Sequence, residues 1–228
     1  MTQVAIDGPA SSGKSSVGTR VAAELGYGFL DTGLLYRAVT RAALNAGSQL
    51  DALTSTNALT AAQIDQVVQL AHLTDVDLES GGATISVDDL FFVSSELESE
   101  AVERAVATVA ALADVRAALR TIQREIAMRG GVVLAGRDIG TVVYPEAHHK
   151  FFLDASAEAR ALRRALQRGY VAESVEHREV LRSLVARDQE DRTRAVAPLR
   201  AADDAHIIMT DRLGLTDVVD LIVRQVLR

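Results

Sequence analysis

The run Gly8-Pro9-Ala10-Ser11-Ser12-Gly13-Lys14-Ser15, followed by Ser16, constrains this chain more than any other feature. It fits G-x-x-x-x-G-K-[ST] in full. The β-prone run Thr2–Ile6 precedes it, and Ser15–Leu25 reads as the helix after it, with Val17, Val21, Ala22 and Leu25 on one face and Gly26 as the stop. The glycines let the backbone wrap a phosphate with its N–H groups, and the helix N-terminus points a positive dipole end at the same anion. In such a loop Lys14 neutralises the β- and γ-phosphates and the Ser15 hydroxyl ligates Mg²⁺. The chain is therefore expected to hold a nucleoside triphosphate. No N-K-x-D guanine reader is present. The apolar run Val132–Ala135 ends in Gly136-Arg137-Asp138 rather than in a simple Walker-B acid, so neither a GTPase nor a motor ATPase fits well.

The pattern around the loop is that of an α/β chain. Short strands are expected at Gly28–Leu30, Val132–Ala135, Phe151–Leu153 and His206–Met209. Helices are expected at Leu34–Asn45, Asn57–Ala71, Glu96–Ala111, Asp114–Met128, Ala157–Arg168, Ser174–Gln189 and Thr216–Leu227. With Thr2–Ile6 this makes five apolar strands alternating with helices, a parallel sheet covered on both faces. Val76–Leu78, Thr84–Val87 and Leu90–Val93 break the alternation and read as a small antiparallel meander inserted into it. The pair His148-His149 reads as loop, since no third metal ligand stands near it in the sequence.

Charge narrows the partners. The net charge of −7 argues against binding a nucleic-acid polymer, which needs a broad basic face. Residues 42–103 contain no Lys or Arg, whereas residues 160–194 are rich in arginine. Of 24 basic residues only Lys14 and Lys150 are lysines. Arginine captures phosphate bidentately, so an arginine cluster in an acidic chain points to a small anionic ligand. No apolar run is long enough to span a bilayer. There is no cysteine, and a cytoplasmic address is the default expectation.

Arginines recur at the ends of the expected elements, in Asp31-Thr32-Gly33-Leu34-Leu35-Tyr36-Arg37, in Gly136-Arg137-Asp138-Ile139-Gly140-Thr141-Val142-Val143, and in Arg187 to Leu199. In these blocks, in their order, and in Phe151-Phe152-Leu153-Asp154-Ala155, the chain resembles the bacterial cytidylate kinases over essentially its whole length. The resemblance implies a P-loop NTPase fold with a five-stranded parallel sheet, an inserted nucleoside-monophosphate-binding lobe carrying the meander, and a helical lid. The expected division is one kinase domain, with the core at about 1–40, 112–156 and 195–228, the monophosphate lobe at about 41–111 and the lid at about 157–194. It implies transfer of the γ-phosphoryl group of ATP to CMP or dCMP with Mg²⁺, by a monomer. Carried over by position, Gly8 to Ser16 bind ATP, and Lys14, Arg137 and Arg194 are catalytic. Arg37, Arg137 and Arg194 hold the acceptor phosphate, while Arg116 and Asp138 read the base. Arg187 and Asp191 bind the ribose, Thr32 touches the nucleotide, and Asp31 orients a magnesium-bound water. Arg160, Arg163, Arg164 and Arg168 belong to the lid, with Arg160, Arg164 and Arg168 reaching the ATP phosphates. The family commonly places a base-reading serine where this chain has Ala107. Either the adjacent Thr108 substitutes for it, or base selectivity is looser. Another P-loop small-molecule kinase, or a nucleotide-binding switch that transfers nothing, stands as the alternative.

Overall fold

The computed structural model describes residues 2–47, 59–79, 82–194 and 196–228. Its main sheet has five parallel strands: β1 (Gln3–Asp7), β2 (Gly28–Asp31), β6 (Val132–Gly136), β7 (His149–Asp154) and β8 (His206–Met209), in the order β2-β6-β1-β7-β8. A separate antiparallel sheet joins β3 (Thr74–Glu79), β4 (Gly82–Val87) and β5 (Leu90–Phe91). Side-chain alternation explains why both faces of the inner strands β6, β1 and β7 are dry. Val4, Ile6, Val133, Ala135, Phe151 and Leu153 join Val17, Val21 and Ala22 of α1 (Lys14–Leu25) and Val218, Val219 and Ile222 of α9 (Leu215–Val226) in one core. Ala5, Leu30, Val132 and Leu134 point the other way. They meet α2 (Gly33–Asn45), α3 (Ala61–His72), α5 (Glu100–Ala111), α6 (Ala113–Arg129) and the meander in a second, larger core.

The register brings the strand ends level. Asp7 lies opposite Gly136 and Phe152, and Asp31 opposite Ala135. β1 is central, with β6 on one side and β7 on the other; the chain crosses from β1 to β2 on the β6 side and later from β6 to β7 on the opposite side, so a crevice opens at these carboxyl ends. At the first of them Gly8 has φ +150°, and a Cβ there would sit 2.1 Å from the Leu153 carbonyl oxygen. No other residue fits between the two strands, which fixes where the phosphate loop starts.

Several element boundaries differ from the sequence reading. Helix α3 begins at Ala61, where Thr60 and Gln63 form a capping box; Asn57 and Ala58 lie outside the described residues. The stretch expected as one helix from Glu96 is two, α4 (Ser94–Leu97) and α5, because Ser99 takes extended backbone and ends the first turn. Of the meander's connection, Ser80 and Gly81 lie outside the described residues. Helices α7 (Ala157–Gln167) and α8 (Val175–Thr193) pack on each other, and α8 runs four residues past Gln189. His149 belongs to β7 rather than to a loop. Strand β8 is an edge strand and not covered on both faces, with Ile207 and Met209 more than half exposed. The segment Ile139–Val143, after Arg137-Asp138, is a π-helical turn that no periodicity announces.

Candidate active site

The phosphate loop folds tightly on itself. Gly13 caps α1 in a left-handed conformation, φ 97°, and Ser11 is also left-handed at φ 59°. Lys14 is buried and donates to the Pro9 carbonyl at 2.6 Å. Burial, reinforced by Arg137, pushes its ammonium well below the usual lysine range. At the mouth of the loop the Ser15 hydroxyl donates to Asp31 Oδ2 at 2.5 Å, and Asp31 Oδ1 accepts from the Gly33 N–H. Strand β2 thus delivers a carboxylate to the first turn of α1. A hydroxyl and a carboxylate, both hard oxygen donors, suit a magnesium ion.

A second cluster converges from β6 and α8. Arg137 Nε donates to Asp191 Oδ2 at 2.9 Å, its Nη1 reaches the Gly8 carbonyl at 3.3 Å, and Arg194 Nη1 donates to Asp191 Oδ1 at 3.3 Å. One carboxylate therefore aligns two guanidiniums beside the phosphate loop. Burial alone would raise the Asp191 carboxyl, yet Arg137, Arg187 and Arg194 hold it below its usual value. Burial and the neighbouring Arg137 push the Arg187 guanidinium down to about 10. Arg194 keeps a buried Nη2 with no hydrogen-bond partner among the described residues. A buried guanidinium nitrogen without an acceptor is costly, and an incoming anion would satisfy it.

Next to this cluster Arg116 Nη2 donates to Asp138 Oδ2 at 2.5 Å, with both side chains about nine-tenths buried, and its guanidinium lies 5.7 Å from the Tyr36 ring centroid. Arg37 donates to the Leu97 carbonyl at 2.9 Å. The Thr32 hydroxyl is turned inward and donates to the Ala135 carbonyl at 2.9 Å, joining β2 to β6; in this structure it does not face the crevice.

Two of the expected ligands are engaged elsewhere in this structure. Arg160 is 3 % exposed and is held by Ala155 O, by Ala10 O and by both oxygens of Asp188. It ties α7 to α8 and to the phosphate loop, so in this structure its donors are taken by protein groups. Arg163 is bound to Thr210 in the same structural manner. Thr108 is buried with Ala105 and Val109 on the packed face of α5, while Ala107 is exposed one residue, about 100°, away. A small shift does not bring the Thr108 hydroxyl to the place Ala107 leaves. Arg164 and Arg168 remain at the crevice, both paired with Glu103 of α5.

Sequence reasoning gave no role to Asp7, the residue before the phosphate loop. Its two carboxylate oxygens each accept a backbone N–H at 2.8 Å, from Ile139 and from Gly140. It thereby anchors the turn after Arg137-Asp138 to the end of β1. Burial raises its carboxyl to about 6 even against those two hydrogen bonds. With the folded value above that of the unfolded chain, the native state binds the proton more tightly, so this group's contribution to stability falls as pH rises from about 4 to about 6 and is flat above that. Asp7→Asn is expected to remove roughly 3 kcal/mol of that fall. Chemical denaturation of both proteins across this range checks it; parallel pH profiles would contradict the assignment.

A phosphate loop, a carboxylate-aligned pair of arginines and a polar pair beyond them define a P-loop kinase whose acceptor is a small phosphate-bearing molecule. The fold is shared with a shikimate kinase from Bacteroides thetaiotaomicron, which superposes with a TM-score of 0.50 over 100 % of this chain and 99 % of that one, at 12 % identity. Sequence comparison narrows the class. The cytidylate kinase family model matches residues 4–228. A cytidylate kinase from Limosilactobacillus fermentum is 44 % identical, covering 96 % of this chain and 93 % of that protein; one from Methylocella silvestris is 45 % identical, covering 93 % and 88 %. The chain belongs to the cytidylate kinase family and is a nucleoside monophosphate kinase.

Proposed function

We propose that this protein transfers the γ-phosphoryl group of ATP to CMP or dCMP, giving ADP and CDP or dCDP. The observation that carries the reading is the adjacency of the Arg116–Asp138 pair to the Arg137–Asp191–Arg194 cluster. The cluster supplies cations for the acceptor phosphate, with Arg37 as a third. The pair supplies a carboxylate that accepts from an exocyclic amine and a guanidinium that donates to ring acceptors. Cytosine presents both groups, whereas uracil puts a carbonyl where the carboxylate needs a donor. Arg187 and Asp191 lie at the ribose end, and Arg164 and Arg168 on the lid face the donor phosphates.

The attacking group is already an anion, so no strong general base is needed. Alignment and charge neutralisation carry the reaction. The loop from Gly8 to Ser16 cradles ATP, and Lys14 sits by its terminal phosphates. Ser15 would hold a magnesium ion, with Asp31 behind it in the outer shell. That ion, when bound, withdraws charge from the transferring phosphoryl oxygens. The core, monophosphate lobe and lid act as one catalytic unit with the divisions given above. A monomer and a cytoplasmic address complete the reading.

A coupled assay of ADP release with ATP and Mg²⁺ tests the reading across CMP, dCMP, UMP, AMP and GMP. CMP and dCMP are expected to turn over fastest. Because Ala107 offers no hydroxyl and Thr108 is turned away, UMP is expected to trail by only about 10- to 100-fold, short of what a fully paired polar reader achieves. ADP release that ignores all five acceptors would remove the proposal.

A further inference from the structure

Glu103 stands in the first turn of α5 and shares one face of that helix with Ala107. Its carboxylate is taken by two arginines, Oε1 by Arg164 of α7 and Oε2 by Arg168 at that helix's C-terminal cap. The side chains are partly buried, 27 % exposed for Glu103 against 21 % and 39 % for the arginines. They border a cavity of 320 Å³ that Arg187 and Leu184 of α8 also line. Glu103 therefore bridges α5 and α7 across the crevice that holds the phosphate-binding groups.

We propose that Glu103 is a positioning residue whose carboxylate competes with the donor phosphates of ATP for Arg164 and Arg168. The inference rests on the assignment of these two arginines to the donor. Three observations carry it. One carboxylate takes a single nitrogen from each guanidinium, so one phosphate group can replace it on both. The guanidiniums of Arg37, Arg164, Arg168 and Arg187 lie within electrostatic reach of one another, Glu98 and Glu103 offset only part of their charge, and a polyphosphate is the better match. Glu103 sits where the α5 dipole steadies its negative charge, so release to solvent is not costly. Competition of this kind makes the two arginines available only to the donor: until ATP arrives, they are held by the acceptor lobe.

The test is a titration of a non-hydrolysable ATP analogue with Mg²⁺ into the wild-type protein, Glu103→Gln and Glu103→Ala, paired with steady-state kinetics. Both variants are expected to bind the analogue about fivefold more tightly. KM for ATP should fall by a similar factor, with kcat and KM for CMP unchanged. A structural bridge would give the opposite split, with kcat and melting temperature falling together and no gain in donor affinity. Wild-type binding that the two variants match or fall below overturns the competition alone, as does tightening seen only for CMP. A wild-type protein that binds no analogue overturns the kinase reading, and the competition with it.

Discussion

Lys14→Met is expected to cost about three orders of magnitude in kcat while leaving the protein at least as heat-stable as the wild type. The two halves of this result have one cause. Lys14 is 8 % exposed, and burial, then repulsion from Arg137, drives the proton affinity of its ammonium down; Asp31 and Asp7 offset only part of this. A buried charge so poorly compensated costs stability. Methionine keeps the length and flexibility of the side chain and removes the charge. The Pro9 carbonyl that Lys14 occupies also accepts the Ser12 N–H at 3.4 Å, so it is not orphaned. Catalysis loses what stability regains, since a preorganised cation at the transferring phosphoryl group is worth several kcal/mol in a water-excluded site. The sign with pH follows. A native lysine value below 10.5 means the unfolded chain binds the proton more tightly. Wild-type stability therefore rises with pH between the depressed native value and 10.5, and the variant lacks that rise. Thermal melts and the coupled assay check both halves. Activity within about tenfold of wild type, or a clear drop in Tm, would contradict the assignment.

Asp191→Ala separates two roles for one carboxylate. The sequence resemblance makes Asp191 a ribose ligand. The structure makes it the anion that holds Arg137 at 2.9 Å and Arg194 at 3.3 Å. A ribose reader alone would matter for CMP and little for dCMP, which has no 2′-hydroxyl. A residue that aligns the phosphate-binding arginines serves both acceptors equally. We therefore expect kcat/KM to fall by about two to three orders of magnitude for CMP and dCMP alike, with KM for ATP little changed. Without Asp191, Arg137 keeps only its bond to the Gly8 carbonyl and Arg194 its bond to the Ala197 carbonyl, so neither guanidinium is oriented by an anion. A loss confined to CMP would return Asp191 to the ribose and leave the arginine alignment to other groups. Far-UV circular dichroism at the assay temperature separates either result from unfolding.

The parts of the site that were legible in the sequence are contiguous. A phosphate cradle is eight residues of backbone with a helix behind it, and its spacing needs no partner from elsewhere in the chain. The strands were legible because burial on both faces demands unbroken apolar runs, and Val132–Ala135 and Phe151–Leu153 are such runs. Where a strand lies at the edge the same logic misleads: His206–Met209 looks as apolar as the others, yet three of its four residues meet solvent. The start at Ala61 is set by the Thr60 cap and the break at Ser99 by its extended backbone, and periodicity reports neither.

What only the tertiary structure decided is which charges meet. Asp7 and Ile139 are 132 residues apart, Arg160 and Ala10 are 150 apart, and Glu103 reaches arginines 61 and 65 residues on. The sequence by itself determined that phosphate would be bound and that arginines would surround it, because both are statements about residue type and local spacing. It could not divide those arginines between ligand and scaffold. An arginine's role depends on whether a carboxylate or carbonyl already takes its donors, and that is settled by packing between elements distant in the chain. Arg160 became scaffold because α7, α8 and the phosphate loop close around it. Arg194 was left with a buried nitrogen still to be satisfied because Asp191 takes only one side of its guanidinium.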